Sequence, residues 1–353
     1  MKKYFKCMVF TKTPLKSQFR YLDKFQILPI DSKNAPSSPY NKHFPLFLEY
    51  CIDFDENRCI SDIDIFVDMS AQQVMEFEIM NVLSVLSNHR FFKYHAFDNK
   101  WAVMSPSVDF QKLQTEQEAL FDNQYSHWTI SGYFYPGLKE DLEIDCFTDI
   151  KFSSTPIISP YYYYFSKDPV ESNDNEITFP ETIFSSLDNY YLLSSKTLRK
   201  IKSTIALICD GIDISDSKRS LSFLSFVSAI EALISIEFSD KEIEFECNSC
   251  KTIVKSNYLC PDCGKPTWGI KVKFKEFLKK FVAGGEKTIS VYNKIYNLRC
   301  KITHQGQLFI GDFEFSFDNL DKKESDYLMR LKTLQLARIS LTNWLRYENK
   351  AIR

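Results

Sequence analysis

The sequence predicts an α+β domain over residues 1–180, then an all-α helical domain over 181–353 with a small cysteine-rich insertion at 240–268. Three observations carry that division. Before residue 180 the apolar residues alternate with polar ones in short runs, the period of a half-buried strand. Beyond it they return every three or four residues over long stretches, the period of an amphipathic helix. Four cysteines in two close pairs interrupt that second pattern.

In the first domain "SDIDIFVD" (Ser61–Asp68) alternates and reads as a strand. "SAQQVMEFEIMNVLSVLSN" reads as a helix with Ser70 as its N-cap. "RFFKYHAF" and "KWAVM" flank Asp98-Asn99 and suggest a hairpin, while "HWTISGYFY" and "LEIDCF" suggest further strands. The polar, charged stretch Ser166–Glu176 suits an exposed connection. Helices are then expected over about Glu181–Cys209, stopping at Gly211, and over "SLSFLSFVSAIEALISI". "KVKFKEFLKKFV" ends at Gly284-Gly285, where a left-handed C-cap is easily formed. Another helix is expected over about Thr288–Thr303, and a long last one starts at Asp321, with Glu324 completing a capping-box-like pair.

Composition removes several classes of function. A chain with 44% hydrophobic and 25% charged residues has the balance of a soluble globular protein. No window approaches 18 uninterrupted apolar residues, and the apolar run in "MKKYFKCMVF" is too short for a signal peptide, so the cytoplasm is expected and a membrane is not. Neither G-x-G-x-x-G nor G-x-x-x-x-G-K-[ST] occurs, which argues against dinucleotide-binding and P-loop enzymes. The net charge of −2 gives no global attraction to nucleic acid, so any such attraction must be local.

Cys247, Cys250, Cys260 and Cys263 form C-x2-C-x9-C-x2-C, two knuckles that offer four thiolates for tetrahedral Zn2+. Gly264 lets the second knuckle turn so that backbone N–H groups face the sulfurs. Two disulfides are the competing use of four thiols, and a cytoplasmic chain disfavours them. Four protein ligands leave no open coordination position, so the expected zinc is structural. The module resembles a zinc ribbon, which either touches nucleic acid or serves only as a rigid insertion.

Within "YNKIYNLRCKITHQGQ" (Tyr292–Gln307), Val291, Ile295, Leu298 and Ile302 mark the buried face of a helix. Arg299 and His304 are five residues apart, about 140° around a straight helix. They therefore share a pocket only if the helix ends near Thr303, as Gly306 permits. Histidine changes charge around neutrality and suits general acid–base work on a ribose hydroxyl. Arginine keeps its charge and presents a fork to crowded phosphate oxygens. Such a pair suits metal-independent phosphodiester cleavage.

"FLSFVSAIEALISI", with Glu231, and "IYNLRCKITHQG", with a Y-x-x-R-x-x-x-x-H pattern followed by Gly306, together resemble the Apea-like branch of the HEPN domain family. The resemblance covers residues 181–350. It implies a helical domain that forms a homodimer and brings both Arg–His motifs around one cleft. It also implies a metal-independent endoribonuclease of the toxin or anti-phage defence type, with Arg299 and His304 catalytic. Glu231 would orient Arg299 through an ion pair, or else be a solvated helix residue. Two residues depart from the family pattern: Cys300 follows the arginine, where a polar residue is usual, and Gln305 separates His304 from Gly306. The other class of function is a HEPN-like scaffold that holds RNA, a nucleotide or a protein without cutting. The N-terminal domain is expected to sense a phage-derived or nucleotide trigger.

Charge near the motif agrees with an RNA partner: residues 251–301 hold twelve Lys/Arg against three Asp/Glu. Lys271, Lys273, Lys275, Lys279, Lys280 and Lys301 are the candidate RNA contacts, with Lys196, Arg199, Lys200 and Lys202 adding to the field. Solvated helix faces account for the same residues equally simply. The carboxylates Asp53, Asp55, Asp62, Asp64 and Asp68 place D-x-D pairs on one strand face, but no glycine-serine phosphate loop accompanies them. "PYYYYFS" is expected to be a twisted strand.

Overall fold

The computed structural model describes residues 2–30, 44–53, 62–93, 128–129, 132–133, 142–149, 153–165, 176–238, 243–247, 249–256, 260–265, 269–314 and 319–351. The chain divides into two compact units: Met1–Ser159 with Glu171–Glu181, and Pro160–Val170 with Thr182–Arg353. The first is built on a sheet and the second is mostly helical.

The first unit opens with β1 (Lys2–Thr11), β2 (Phe19–Tyr21), β3 (Phe25–Pro29) and β4 (Phe44–Asp53). After helix α1 (Asp62–Leu86) come the short strands β5 (Trp128–Thr129), β6 (Gly132–Tyr133), β7 (Leu142–Ile144), β8 (Ile157–Ile158) and β9 (Phe179–Pro180). The main sheet has the order β2-β3-β4-β1-β7 and is antiparallel throughout, with Lys2 opposite Asp53 and Thr11 opposite Phe44. Period-two alternation sends Leu46, Leu48, Tyr50 and Ile52 into the core. Tyr50 donates to the buried Glu76 of α1 at 2.7 Å, and Lys93 pairs with the same carboxylate. On the other face Glu49 receives Lys6 at 3.0 Å, Gln26 at 2.7 Å and the Thr148 amide at 2.8 Å. Burial opposes the charge on Glu49, but the hydrogen bonds from Thr148, Gln26 and Lys6 outweigh it and hold the carboxyl below its ordinary value.

Two sequence expectations are corrected here. Ser61–Asp68 is not a strand: Asp62 already belongs to α1, and Ser70 lies inside that helix rather than capping it. Alternation over eight residues is outweighed by the longer helical period that follows. Positions two apart on a helix differ by about 200°, so Asp62 and Asp64 do not share a face, while Asp53 ends β4 and Asp55 lies outside the described residues. The expected hairpin around Asp98-Asn99 and the connection Ser166–Asn175 lie outside the described residues.

The second unit contains α2 (Pro160–Phe165), α3 (Ile183–Tyr191), α4 (Ser195–Asp213), α5 (Arg219–Glu237), α6 (Ile270–Phe281), α7 (Glu286–Gln305) and α8 (Leu320–Ala351). Pro160–Phe165 thus forms a short helix, not a strand; Pro160 occupies the first helical position, where its missing N–H costs nothing. The expected helix over 181–209 is two helices, because Ser194 breaks the run and caps α4 through the Thr197 amide. Gly211 lies inside α4. A Cβ there would come within 2.5 Å of Phe226 Cε1, so the missing side chain allows α4 and α5 to pack closely. Ser222 crosses the same contact and donates to the Gly211 carbonyl at 2.6 Å.

Phe223, Phe226, Ile230, Leu233 and Ile234 of α5 are buried, as are Leu334, Ala337, Leu341, Trp344 and Leu345 of α8. By length and hydropathy α5 passes as a membrane span, and more than half of that window is buried inside the protein. The end of α5 is clamped: the buried Glu237 carboxylate accepts from Lys280 at 2.8 Å and from Trp344 Nε1 at 3.2 Å. The cysteine insertion leaves the bundle just beyond this clamp and re-enters at Gly269.

Candidate functional site

Inside the insertion, β10 (Ile243–Glu246) and β11 (Ile253–Ser256) form an antiparallel hairpin. Its two cysteine knuckles repeat one geometry. The Lys251 amide returns to the Cys247 carbonyl at 2.7 Å, and the Gly264 amide to the Cys260 carbonyl at 2.8 Å. Both turning residues are left-handed, at φ 62° and 65°. The conformation expected of Gly264 is therefore present, and a lysine adopts it in the first knuckle.

All four sulfurs lie within 4.8 Å of one another, with Cys247–Cys263 at 3.7 Å and Cys250–Cys260 at 3.5 Å. Hydrogen bonds from Thr252, through its hydroxyl and then its amide, pull the Cys250 thiol down to about 6. Cys263 goes the other way, to about 12. A backbone hydrogen bond from Lys265 lowers it, but desolvation and the three neighbouring sulfurs prevail. Four thiols this close resist ionising together unless a cation sits among them. The cluster can hold a metal ion.

The second constellation lies on α5 and α7. Glu231 faces Arg299 with both oxygens: Oε1 is 3.4 Å from Nε, and Oε2 is 3.4 Å from Nη2. The third guanidinium nitrogen, Nη1, is 3.4 Å from His304 Nε2. The straight-helix expectation of separate faces is thus corrected. α7 continues to Gln305, and the two side chains nevertheless meet, because the long guanidinium reaches around the last turn. A guanidinium only donates, so in a hydrogen bond between them Nε2 is the acceptor. The Tyr296 ring lies beneath Arg299, 5.9 Å from its guanidinium carbon. Burial, then the charge of Glu231, raises the Tyr296 hydroxyl above its ordinary value.

The chain after His304 is held firmly. Gly306 ends α7 in the left-handed conformation. Phe309 then donates its amide to Ser220 Oγ at 2.7 Å, and Ile310 donates to Asp326 at 3.2 Å. Asp312 caps α5 from this loop, accepting from the amides of Arg219 at 2.6 Å and Ser220 at 2.8 Å. These anchors fix the end of the helix that carries His304. No local motif announces them, since Asp312 lies far along the chain from the helix that it caps.

The lysines named from sequence separate into two groups. Lys275 and Lys279 of α6 lie beside Glu276, at 3.8 and 2.9 Å, and Lys280 belongs to the Glu237 clamp. Lys273 is half-buried on the same helix, whereas Lys271 and Lys301 are exposed. Lys271 reaches α7, donating to Asn297 Oδ1 at 2.9 Å. Comparison with family models, with curated proteins and with solved structures gives no match, so the chemistry of the site rests on its own residues.

Proposed function

We propose that the helical unit is a metal-independent endoribonuclease of the HEPN type, with Arg299 and His304 as its catalytic residues. The observation that carries this reading is the Glu231–Arg299–His304 chain of contacts beside an exposed helix end. Glu231 takes two nitrogens of the guanidinium and so aims the third toward the imidazole. In the reaction His304 receives the ribose 2′-hydroxyl proton as that oxygen attacks the adjacent phosphorus. The phosphorus–O5′ bond breaks, and the departing oxygen takes a proton from an acid at the site. The products are a 2′,3′-cyclic phosphate and a 5′-hydroxyl, so neither water nor an oxidant is consumed. Arg299 turns its fork to the phosphate oxygens as negative charge accumulates on them. A homodimer supplies the second such pair and the opposite wall of the cleft.

The Cys247, Cys250, Cys260 and Cys263 cluster is read as a structural zinc site, because four sulfur donors fill a tetrahedral shell. Zinc bound there would cross-link the two knuckles and take no part in cleavage. We place the protein in the cytoplasm, as a toxin or anti-phage effector whose sheet unit senses the trigger. The competing reading is a binding scaffold, favoured by Cys300 beside an arginine that is already ion-paired.

Incubation with total tRNA in EDTA separates the two. The wild type is expected to cut and His304→Ala to be slower by about 10²–10⁴-fold, the usual contribution of general acid–base catalysis. Equal cleavage by both removes His304 from the mechanism. Stable RNA binding with no products under any activating condition supports the scaffold.

A further inference from the structure

Helical α7 presents an exposed stripe that ends on His304. Residues separated alternately by three and four positions return to one side of a helix. Counting back from His304, that rule selects Lys301, Asn297, Lys294, Ser290 and Lys287, and all six side chains are exposed. Glu286, at the first position, is the helix's single acidic residue. Lys271 adds a further cation from α6 at the middle of the stripe, through its contact with Asn297. Arg299 leaves α7 on another side, toward Glu231, and only its Nη1 returns to the end of the stripe, 3.4 Å from His304 Nε2. The basic line spans about 25 Å at 1.5 Å per residue.

An ordinary solvated helix face mixes signs, because oppositely charged neighbours stabilise it. On α6, Lys275 and Lys279 have such a neighbour in Glu276, at 3.8 and 2.9 Å. The α7 stripe does not follow that pattern. Its lysines lie two turns apart and have no acid between them.

We propose that Lys271, Lys287, Lys294 and Lys301 form a track for the backbone of single-stranded RNA, leading the strand to His304. This rests on the ribonuclease reading and assigns the substrate-holding surface of the same site. Lysine suits the task because a point charge holds phosphates without reading bases. A single strand is required because the attacking 2′-hydroxyl must swing in line with the departing oxygen, which a stacked duplex prevents. Lys287 and Lys294 escape a search by charge density, since the α6 lysines are more crowded; the periodicity counted back from His304 finds them.

The test is binding of a 2′-O-methyl oligonucleotide, which lacks the attacking hydroxyl, followed by fluorescence anisotropy. Lys287→Gln/Lys294→Gln/Lys301→Gln is expected to bind about tenfold more weakly or worse. The slope of log affinity against log salt should fall by about 2, near 0.7 for each lysine on a single strand. Replacing the same three by arginine should preserve affinity. A control with the same charge change on other exposed lysines, Lys12→Gln/Lys16→Gln/Lys332→Gln, should bind as wild type. Equal weakening of the control, or no weakening of the stripe variant, overturns the track. Tighter binding of a duplex of equal length overturns its single-strand character. Cleavage by wild type with unchanged KM in the stripe variant sinks the track and leaves the nuclease standing. Stripe-dependent binding of RNA that is never cut does the reverse.

Discussion

Arg299→Lys is expected to lose nearly as much cleavage as Arg299→Ala, about 10²–10³-fold in single-turnover rate, the range seen when one preorganised donor to a developing charge is removed. The positive charge survives the lysine substitution, yet the geometry does not. In the wild type one planar group meets both oxygens of Glu231 and also reaches His304 Nε2, with each contact at 3.4 Å. An ammonium is a point charge on a flexible stem and cannot span three partners at once. The fold should tolerate the change because lysine keeps a cation opposite Glu231, whose side chain is only 19% exposed and would be costly to leave unpaired. The loss therefore falls on the chemical step, and RNA affinity should change much less. A lysine variant with wild-type rate removes the fork from the mechanism and leaves Arg299 a simple counter-charge.

The second large effect concerns the metal. Cys260→Ser is expected to reduce bound zinc from one ion per chain to none, measured by elemental analysis of the purified protein. Structural zinc sites are worth about 10–16 kcal/mol in small peptides. The insertion's buried cluster consists of Cys247 and Cys260, with Cys250 packed against them. Without metal the knuckles should open and become the preferred site of limited proteolysis. The bundle should keep its helical circular dichroism, because Glu237 ties α5 to Lys280 and Trp344 without help from the insertion. Wild-type protein that carries no zinc after purification under reducing conditions contradicts the site, and collapse of the helices with it contradicts the separation of the two modules.

What could be read in the sequence follows from how local each signal is. The cysteine cluster was legible because its ligands come in near pairs whose spacing sets the knuckle turn. Even so, the left-handed Lys251 was not visible, since nothing in a lysine advertises positive φ. The order of a sheet region followed by a helical part, and most of the helices in that part, were legible from period alone. Ser61–Asp68 reads as a strand because the alternation is local, whereas the chain from Asp62 runs on without a break into one long helix, α1. The break at Ser194 was missed because the apolar period runs on across it. The Arg299–His304 contact was hidden by treating side chains as short spokes, when the arginine stem is long enough to cover the angular gap. The Asp312 cap was out of reach for a simpler reason: its partners, the Arg219 and Ser220 amides, are brought to it by tertiary folding alone.

Identification of the RNA ends left by the purified protein in EDTA tests the central claim most directly. Mass spectrometry of the fragments should find 2′,3′-cyclic phosphate and 5′-hydroxyl termini with the wild type, and neither with His304→Ala. Fragments ending in 3′-hydroxyl and 5′-phosphate, or cutting that appears only when a divalent cation is restored, would contradict it.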